Sequence, residues 1–141
     1  MYTAKRARVA AALLLFGAAG CGPNLQPVHG KVTYPDGQPV TEGIVVFESD
    51  DGTRPVMARA EIQSDGTYVL GTFKPGDGVP PRKYRVLVAP KYDANAVDGP
   101  RKPPPIDPRF SDLKTSGLEF EVKSGANEFP ITVTAPPKVR R

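Results

Sequence analysis

Short runs in which apolar and polar residues alternate constrain this chain more than any other feature. Residues 56–63 place Ala58, Ala60 and Ile62 on one side of an extended chain and charged or amide side chains on the other. Ser-Asp-Gly follows at 64–66, and Asp-Gly is a strong signal for a tight hairpin turn. Because apolar residues recur at every second position, the pattern predicts half-buried β-strands rather than amphipathic helices.

The same alternation recurs through residues 28–134. It predicts seven strands, at 28–34, 43–49, 56–63, 67–73, 83–89, 117–123 and 128–134. The chain has 17 prolines and 14 glycines among 141 residues, which is far too many for a helical bundle. We therefore expect an all-β fold, a single seven-stranded antiparallel β-sandwich.

The side of each strand that carries apolar residues predicts the core. We expect it to contain Val32, Phe47, Ile62, Tyr68, Val86, Phe120 and Ile131. Pro130 has no backbone N–H to donate to a neighbouring strand, so the last strand is expected at a sheet edge.

The first 20 residues have the plan of a secretory signal peptide. Lys5, Arg6 and Arg8 give a positive start, residues 9–19 are apolar, and small residues occupy 18–20. The apolar run is much shorter than the roughly 20 residues that a membrane-spanning helix needs. We therefore expect residues 1–20 to be removed before the protein acts.

The sequence Phe-Gly-Ala-Ala-Gly-Cys at 16–21 resembles a bacterial lipobox. The resemblance implies that diacylglycerol is attached to the Cys21 thiol, that the chain is cut before Cys21, and that the new amine is acylated. Gly22 follows, where an aspartate would resemble an inner-membrane retention signal, so an outer-membrane location is favoured. The alternative is an ordinary signal peptide, cut near Ala19 or Gly20, which leaves a free thiol.

These observations divide the chain into four parts: a lipoprotein signal peptide at 1–20, a tether at 21–27, a β-sandwich at 28–134 and a basic tail at 135–141. Removal of the signal peptide takes away three of the net +4 charges, so the charge gives no case for nucleic-acid binding. A single cysteine excludes an internal disulfide and a cysteine-ligated metal site.

Several sequence blocks, in order, resemble small bacterial lipoproteins with a transthyretin-like, carboxypeptidase regulatory-like domain. These blocks are 28–34 with the Gly-Gln-Pro-Val turn at 37–40, 43–47, 65–68, 73–78 with 84–86, and 104–118. The resemblance implies a prealbumin-type sandwich with immunoglobulin-like architecture. It implies no activity, because in metallocarboxypeptidases the corresponding domain is an accessory to a separate catalytic domain.

Asp-Gly pairs raise the question of a calcium site, but turn formation explains them better. Four of the pairs occur in predicted turns, at Asp36, Asp51, Asp65 and Asp77. Calcium takes six to eight oxygen ligands, often from alternating acidic residues, and the chain has no such run. We therefore expect no metal and no cofactor.

The residues that an internal isopeptide bond or a catalytic site would need are also predicted to lie apart from one another. An internal isopeptide bond would need a lysine and an asparagine on facing strands, but Lys31 is predicted to face solvent and Asn127 lies in a turn. His29 is on the outward side of the first strand, and Glu119 and Glu121 share one solvent face. We therefore expect no enzymatic activity.

The remaining features favour a binding or structural role in the bacterial cell envelope, facing the periplasm or the cell exterior. The loops at 74–81 and 90–112 are expected to contact an envelope protein or polymer, because the strands are committed to packing. The second loop contains Pro103, Pro104 and Pro105, which suit a polyproline II segment. The alternative is a periplasmic carrier of a small ligand, which would need an apolar cavity.

We predict that Cys21 is acylated and becomes the first residue of the mature protein. Radiolabelled palmitate is expected to label the wild-type protein in cells. The change Cys21→Ser is expected to abolish the label and release the protein from the membrane fraction, because Cys21 is the only thiol. Unchanged labelling and fractionation in Cys21→Ser would refute the anchor.

Overall fold

A computed structural model describes residues 22–49, 52, 54–91 and 105–138 of the chain. Eight strand segments form: β1 (Val28–Thr33), β2 (Ile44–Ser49), β3 (Met57–Glu61), β4 (Thr67–Val69), β5 (Lys83–Ala89), β6 (Leu118–Glu121), β7 (Asn127–Glu128) and β8 (Ile131–Thr132). One 3₁₀ helix spans Pro108–Ser111, and no α-helix occurs in the part of the chain described.

The strands form two four-stranded sheets in an open, sandwich-like arrangement, which confirms the predicted all-β class. One sheet has the order β4-β1-β7, with β8 also paired to β1, and the other has the order β3-β2-β5-β6. At the centre of the second sheet, Phe47 of β2 lies opposite Ala58 of β3 and Val86 of β5. Alternate residues of these strands are buried, as the period-two pattern predicts.

The core agrees with the prediction at six of the seven residues, since Val32, Phe47, Ile62, Tyr68, Val86 and Ile131 are buried. Phe120 is only half-buried: it stacks on Phe129 with 4.6 Å between ring centroids, at the side where β6 and β7 meet. Connecting segments also fill the core, through the buried residues Val40, Val79, Ile106 and Phe110.

Two details of the predicted antiparallel, seven-stranded sandwich differ in the structure. β7 and β8 run parallel to β1, because the turn at 122–126 carries the chain from one sheet to the other instead of closing a hairpin. The single strand predicted at 128–134 is two short segments, interrupted at Phe129 and Pro130, because proline cannot donate a ladder hydrogen bond. These segments lie at the edge of their sheet, as Pro130 predicts.

The sheet registers define two ends of the sandwich. At the N-terminal end, β1, β3, β5 and β7 begin and β2, β4 and β6 finish. At the far end, β2, β4 and β6 begin and β1, β3, β5 and β8 finish. The connections at 70–82 and 122–126 therefore lie at the N-terminal end, and the hairpin turn at 62–66 lies at the far end.

Gly30, in the middle of β1, allows the closest approach within the first sheet. The Tyr68 hydroxyl donates a hydrogen bond to the Phe129 carbonyl at 2.5 Å, and this contact passes over Gly30. A β-carbon on Gly30 would overlap the Phe129 carbonyl and lie 2.7 Å from the Tyr68 hydroxyl oxygen. Burial of Tyr68 raises the pKa of its hydroxyl, so the hydroxyl remains a proton donor at neutral pH.

We predict that Gly30→Ala destabilises the fold by about 1–3 kcal/mol, the usual cost of overpacking a core. The added methyl group must displace both the Phe129 carbonyl and the Tyr68 hydroxyl. Gly22→Ala is the matched control, because a β-carbon at Gly22 has no neighbour within 4 Å. Urea unfolding of both variants measures the difference, and equal stability of the two would contradict this account of β1.

Candidate functional site

The residues predicted to act fall in three places, and the structure describes two of them. Cys21, the predicted site of lipidation, lies outside the described residues, which begin at Gly22. The loop predicted at 74–81 is described throughout. Of the loop predicted at 90–112, residues 92–104 lie outside the described part, and its two flanks lie within it.

The first loop is held together by the side chain of Asp77. Its carboxylate accepts hydrogen bonds from the backbone N–H groups of Thr72, Phe73 and Lys74, at 2.7, 3.2 and 3.0 Å. The Thr72 hydroxyl donates to the Gly78 carbonyl at 2.8 Å, which closes the loop. Three backbone amides bound by one carboxylate fix the path of the chain here.

The same hydrogen bonds set the charge state of Asp77. Desolvation raises the pKa of this carboxyl, but the three backbone hydrogen bonds and the nearby Lys74 charge outweigh that effect. The pKa of Asp77 therefore lies below its usual value, and the carboxylate is ionised throughout the neutral range.

The tether enters the domain beside this loop. Gln26 and Val79 exchange two backbone hydrogen bonds, of 2.8 and 2.9 Å. The Gln26 side-chain oxygen also accepts from the backbone N–H of Gly125 at 2.7 Å. The tether, the 71–79 segment and the 122–126 turn are therefore joined at the N-terminal end.

The flanks of the second loop are fixed at the far end. Ile106 and Phe110 are buried, and the backbone N–H of Asp107 donates to the Thr134 carbonyl at 2.8 Å. The Tyr34 hydroxyl donates to the Pro105 carbonyl at 3.0 Å. Since β5 finishes at the far end, the Pro-rich segment leaves and rejoins the domain there. The two loops that the sequence predicts as contact surfaces therefore lie at opposite ends.

An open groove lies where β3 and β4 separate. Arg59 and Gly71 exchange two backbone hydrogen bonds of 3.0 and 3.1 Å, and Gln63 donates to the Thr67 carbonyl at 2.8 Å. Between these points the strands belong to different sheets and leave a groove of about 830 Å³. Its lining includes Ala60, Tyr68, Val69, Phe73, Glu61 and Lys74. Apolar and charged groups thus face one opening.

Large hydrophobic side chains are exposed around the same corner of the domain. Among the described residues, Met57 and Val69 are 55% exposed and Phe73 is 70% exposed. The sequence pattern places Phe73 in a strand at 67–73, but β4 finishes at Val69 and Phe73 lies in the loop. The Pro-Gly sequence at 75–76 is a typical turn signal two residues after Phe73, and it is the feature that indicates a loop here.

Where the structure describes them, the aspartates of the Asp-Gly pairs accept hydrogen bonds that stabilise turns. Asp36 accepts from the Gln38 N–H at 3.0 Å, and Asp65 accepts from the N–H and hydroxyl of Thr67 at 3.0 and 2.6 Å. These two hydrogen bonds from Thr67 lower the pKa of Asp65. Asp51 lies outside the described residues. Within the described ranges, no group of three potential His, Cys, Asp or Glu metal ligands occurs.

The other candidate residues do not come together. His29 is exposed on the outer face of β1, and Glu119 and Glu121 are exposed on β6. Asn127 is used structurally, since its side-chain amide accepts from the Lys123 N–H at 2.9 Å and donates to the Lys123 and Gly125 carbonyls. Lys31 is exposed, so it does not face the Asn127 amide across the core.

No helix in the part of the chain that the structure describes has both the length and the apolar character needed to cross a bilayer. The chain matches no protein-family model, no curated protein and no solved structure.

We predict that Asp77→Ala loosens the first loop without unfolding the sandwich. The amides of Thr72, Phe73 and Lys74 are expected to lose protection from hydrogen exchange, because they lose their acceptor. In the wild-type protein, the depressed pKa means that Asp77 stabilises the loop above the pKa of an unfolded aspartate. This stabilisation falls as the pH drops through the folded-state pKa.

Asp36→Ala is the control, because Asp36 accepts a backbone hydrogen bond at the far end only. It is expected to leave the exchange of residues 72–74 unchanged. Full retention of protection at these amides in Asp77→Ala would contradict the role assigned to Asp77.

Proposed function

We propose that this chain is a bacterial lipoprotein of the cell envelope. It is held to a membrane by lipid on Cys21, faces the periplasm or the cell exterior, and binds an envelope protein or polymer through a non-catalytic β-sandwich. The signal-peptide plan of residues 1–20 and the lipobox-like sequence at 16–21 support the anchor. Residue 22 is glycine and not aspartate, which favours a location in the outer membrane.

One observation carries the binding role: the tether and the Pro-rich segment attach to opposite ends of the sandwich. Gln26 is fixed at the N-terminal end, whereas Pro105 and Ile106 rejoin the domain at the far end. A domain anchored through its N-terminus therefore has the two described flanks of that segment, Lys91 and Pro105, at the end away from the membrane. Segments presented by a rigid scaffold in this way are typical binding elements.

The C-terminal flank of that segment is fixed to the domain. Ile106 and Phe110 are inserted in the core, and Asp107 caps the 3₁₀ helix by accepting from the Arg109 N–H at 3.0 Å. Proline-rich chain is already extended before binding, so docking it into an aromatic groove of a partner costs little ordering entropy. Fixed flanks and a proline-rich sequence between them together favour a protein or polymer partner.

A non-catalytic role agrees with the use of the polar side chains. Asp36, Asp65 and Asp77 bind backbone amides in turns, and Asn127 binds the turn before β7. His29 is exposed with Val69 and Glu128 as its cross-strand neighbours. We also propose that the sandwich is of the transthyretin-like, carboxypeptidase regulatory-like kind, which its two four-stranded sheets support.

The groove between β3 and β4 favours a second candidate function, that of a small-ligand carrier. Its volume of about 830 Å³ is within the range of small-molecule sites, and Val69 and Phe73 line it. A bound ligand would stabilise the folded chain, so a ligand that raises the melting temperature would support this candidate.

We predict that replacing residues 92–104 with a Gly/Ser linker of equal length removes the binding partners. Crosslinking in intact cells, followed by mass spectrometry, compares this variant with the wild type. A double change of Thr41 and Glu42 to alanine, exposed at the same far end, is the matched control and is expected to keep the partners.

Two outcomes would contradict the proposed function. If the linker variant retains the same crosslinked partners at the same yield, residues 92–104 are not the binding surface. If the purified domain turns over a substrate, and a point mutation abolishes that turnover, the non-catalytic proposal fails.

A further inference from the structure

We infer that the N-terminal end of the sandwich rests on the lipid surface, with Phe73 placed at the boundary between headgroups and acyl chains. The inference rests on the proposed lipidation of Cys21 and adds a second, non-covalent contact. It assigns a role to the loop at 71–78 that differs from binding an envelope partner. The domain would then have a fixed orientation, with Lys91 and Pro105, the described flanks of the Pro-rich segment, at the end away from the membrane.

The length of the tether limits how far this end can lie from the bilayer. Only residues 22–25 separate Cys21 from Gln26, which is hydrogen-bonded to Val79. Five residue steps span at most about 17 Å even when fully extended. The seven residues of β5 alone extend the domain by about 23 Å toward the far end. The segment around Val79 is therefore confined near the headgroups.

The exposed hydrophobic side chains concentrate at this end. Met57 is the first residue of β3 and Val69 is the last residue of β4. Arg59 pairs with Gly71, so Met57 lies beyond that pair toward the N-terminal end, and the chain runs from Gly71 into the loop that carries Phe73. Val69 also packs near the loop, since a β-carbon on Gly76 would lie 3.8 Å from it. Val69 and Phe73 line one groove, and Met57 is exposed at the same end of the domain.

The loop that carries Phe73 is preorganised. Asp77 binds the backbone N–H groups of residues 72–74, and Thr72 binds the Gly78 carbonyl. Phe73 therefore stays 70% exposed because the backbone holds it outward, and not because the segment lacks structure. A preformed loop loses little conformational entropy when its aromatic ring enters an interface.

Charges of both signs occur at this end, and Lys74 is the basic residue next to Phe73. The exposed basic residues there are Arg54, Lys74, Lys83 and Lys123. The acids there are the exposed Glu121 and Glu128, the half-buried Glu48 and the ionised Asp77, and Asp50 and Asp51 lie outside the described residues. Lysine beside an aromatic residue, as in Phe73-Lys74, can extend its ammonium group to the headgroups while the ring is buried.

A single-tryptophan experiment tests the contact, since the chain has no tryptophan of its own. Chains of residues 21–141, which contain every described contact, are coupled through their only thiol to maleimide-bearing lipid. The vesicles consist of phosphatidylethanolamine and phosphatidylglycerol brominated near the headgroup end of the acyl chains. Phe73→Trp is the test variant, and Thr41→Trp, exposed at the far end, is the control.

We expect Phe73→Trp to be quenched several-fold more than Thr41→Trp and to emit at shorter wavelength on vesicles than in solution. Equal quenching of the two variants would overturn the inference, as would emission from Phe73→Trp that does not change on coupling. A loop reserved for a protein partner would give that second result, because these vesicles carry no other protein.

Amine labelling of the coupled wild-type chain gives a second readout that needs no substitution. Lys74 and Lys123 are expected to be protected by the vesicle, while Lys114 at the far end reacts as it does in solution. Equal reactivity of all three lysines on and off the vesicle would also overturn the inference.

The chemical coupling separates this inference from the proposed function. It anchors Cys21 whether or not cells acylate it. Loss of palmitate labelling in cells, with quenching of Phe73→Trp retained, would refute the natural anchor alone. Normal palmitate labelling without quenching would refute the membrane contact alone.

Discussion

The position of β1 between two neighbours is the constraint on which the rest of the structure depends. β4 pairs with one edge of β1 and β7 and β8 pair with the other, so the strand is enclosed within its sheet. Gly30 makes this possible, because the Tyr68 hydroxyl reaches the Phe129 carbonyl across the space that a side chain would occupy. β1 thereby fixes where the tether enters, and its parallel pairing with β7 brings the 122–126 turn to the same end.

Much of the fold follows from local sequence. β3 is predicted because Ala58 and Ala60 alternate with charged residues, and that pattern depends only on neighbouring positions. The parallel direction of β7 and the burial of Val79 and Ile106 are not predicted, since both are set by contacts between residues far apart in the chain. The sequence prediction misplaces Phe73 for a related reason. Strand propensity favours an extended chain as far as Phe73, but the Asp77 hydrogen bonds turn the backbone after β4.

The candidate site, like the fold, is predicted from local sequence only in part. The sequence predicts where the two long loops lie in the chain, but not that residues of both pack in the core or that the loops lie at opposite ends, because that depends on long-range contacts and sheet topology. This separation assigns the proposed anchor and the proposed partner contact to different ends of the domain. The tether and Phe73 share one end, and the flanks of the Pro-rich segment are fixed by Tyr34, Ile106 and Phe110 at the other. The N-terminal end suits attachment to the membrane, and the far end suits contact with a partner. The charged side chains in the turns serve mainly to hold the loops in place.

Orientation on the membrane is the central claim, and paramagnetic relaxation measured by NMR tests it most directly. The chain of residues 21–141 would be coupled through Cys21 to a lipid nanodisc that carries gadolinium chelates on its headgroups. The account predicts strong broadening of the amides at 72–78 and 124–126, with sharp signals at 36–38, 63–66 and 112–115. Equal broadening at both ends, or stronger broadening at the far end, would contradict it.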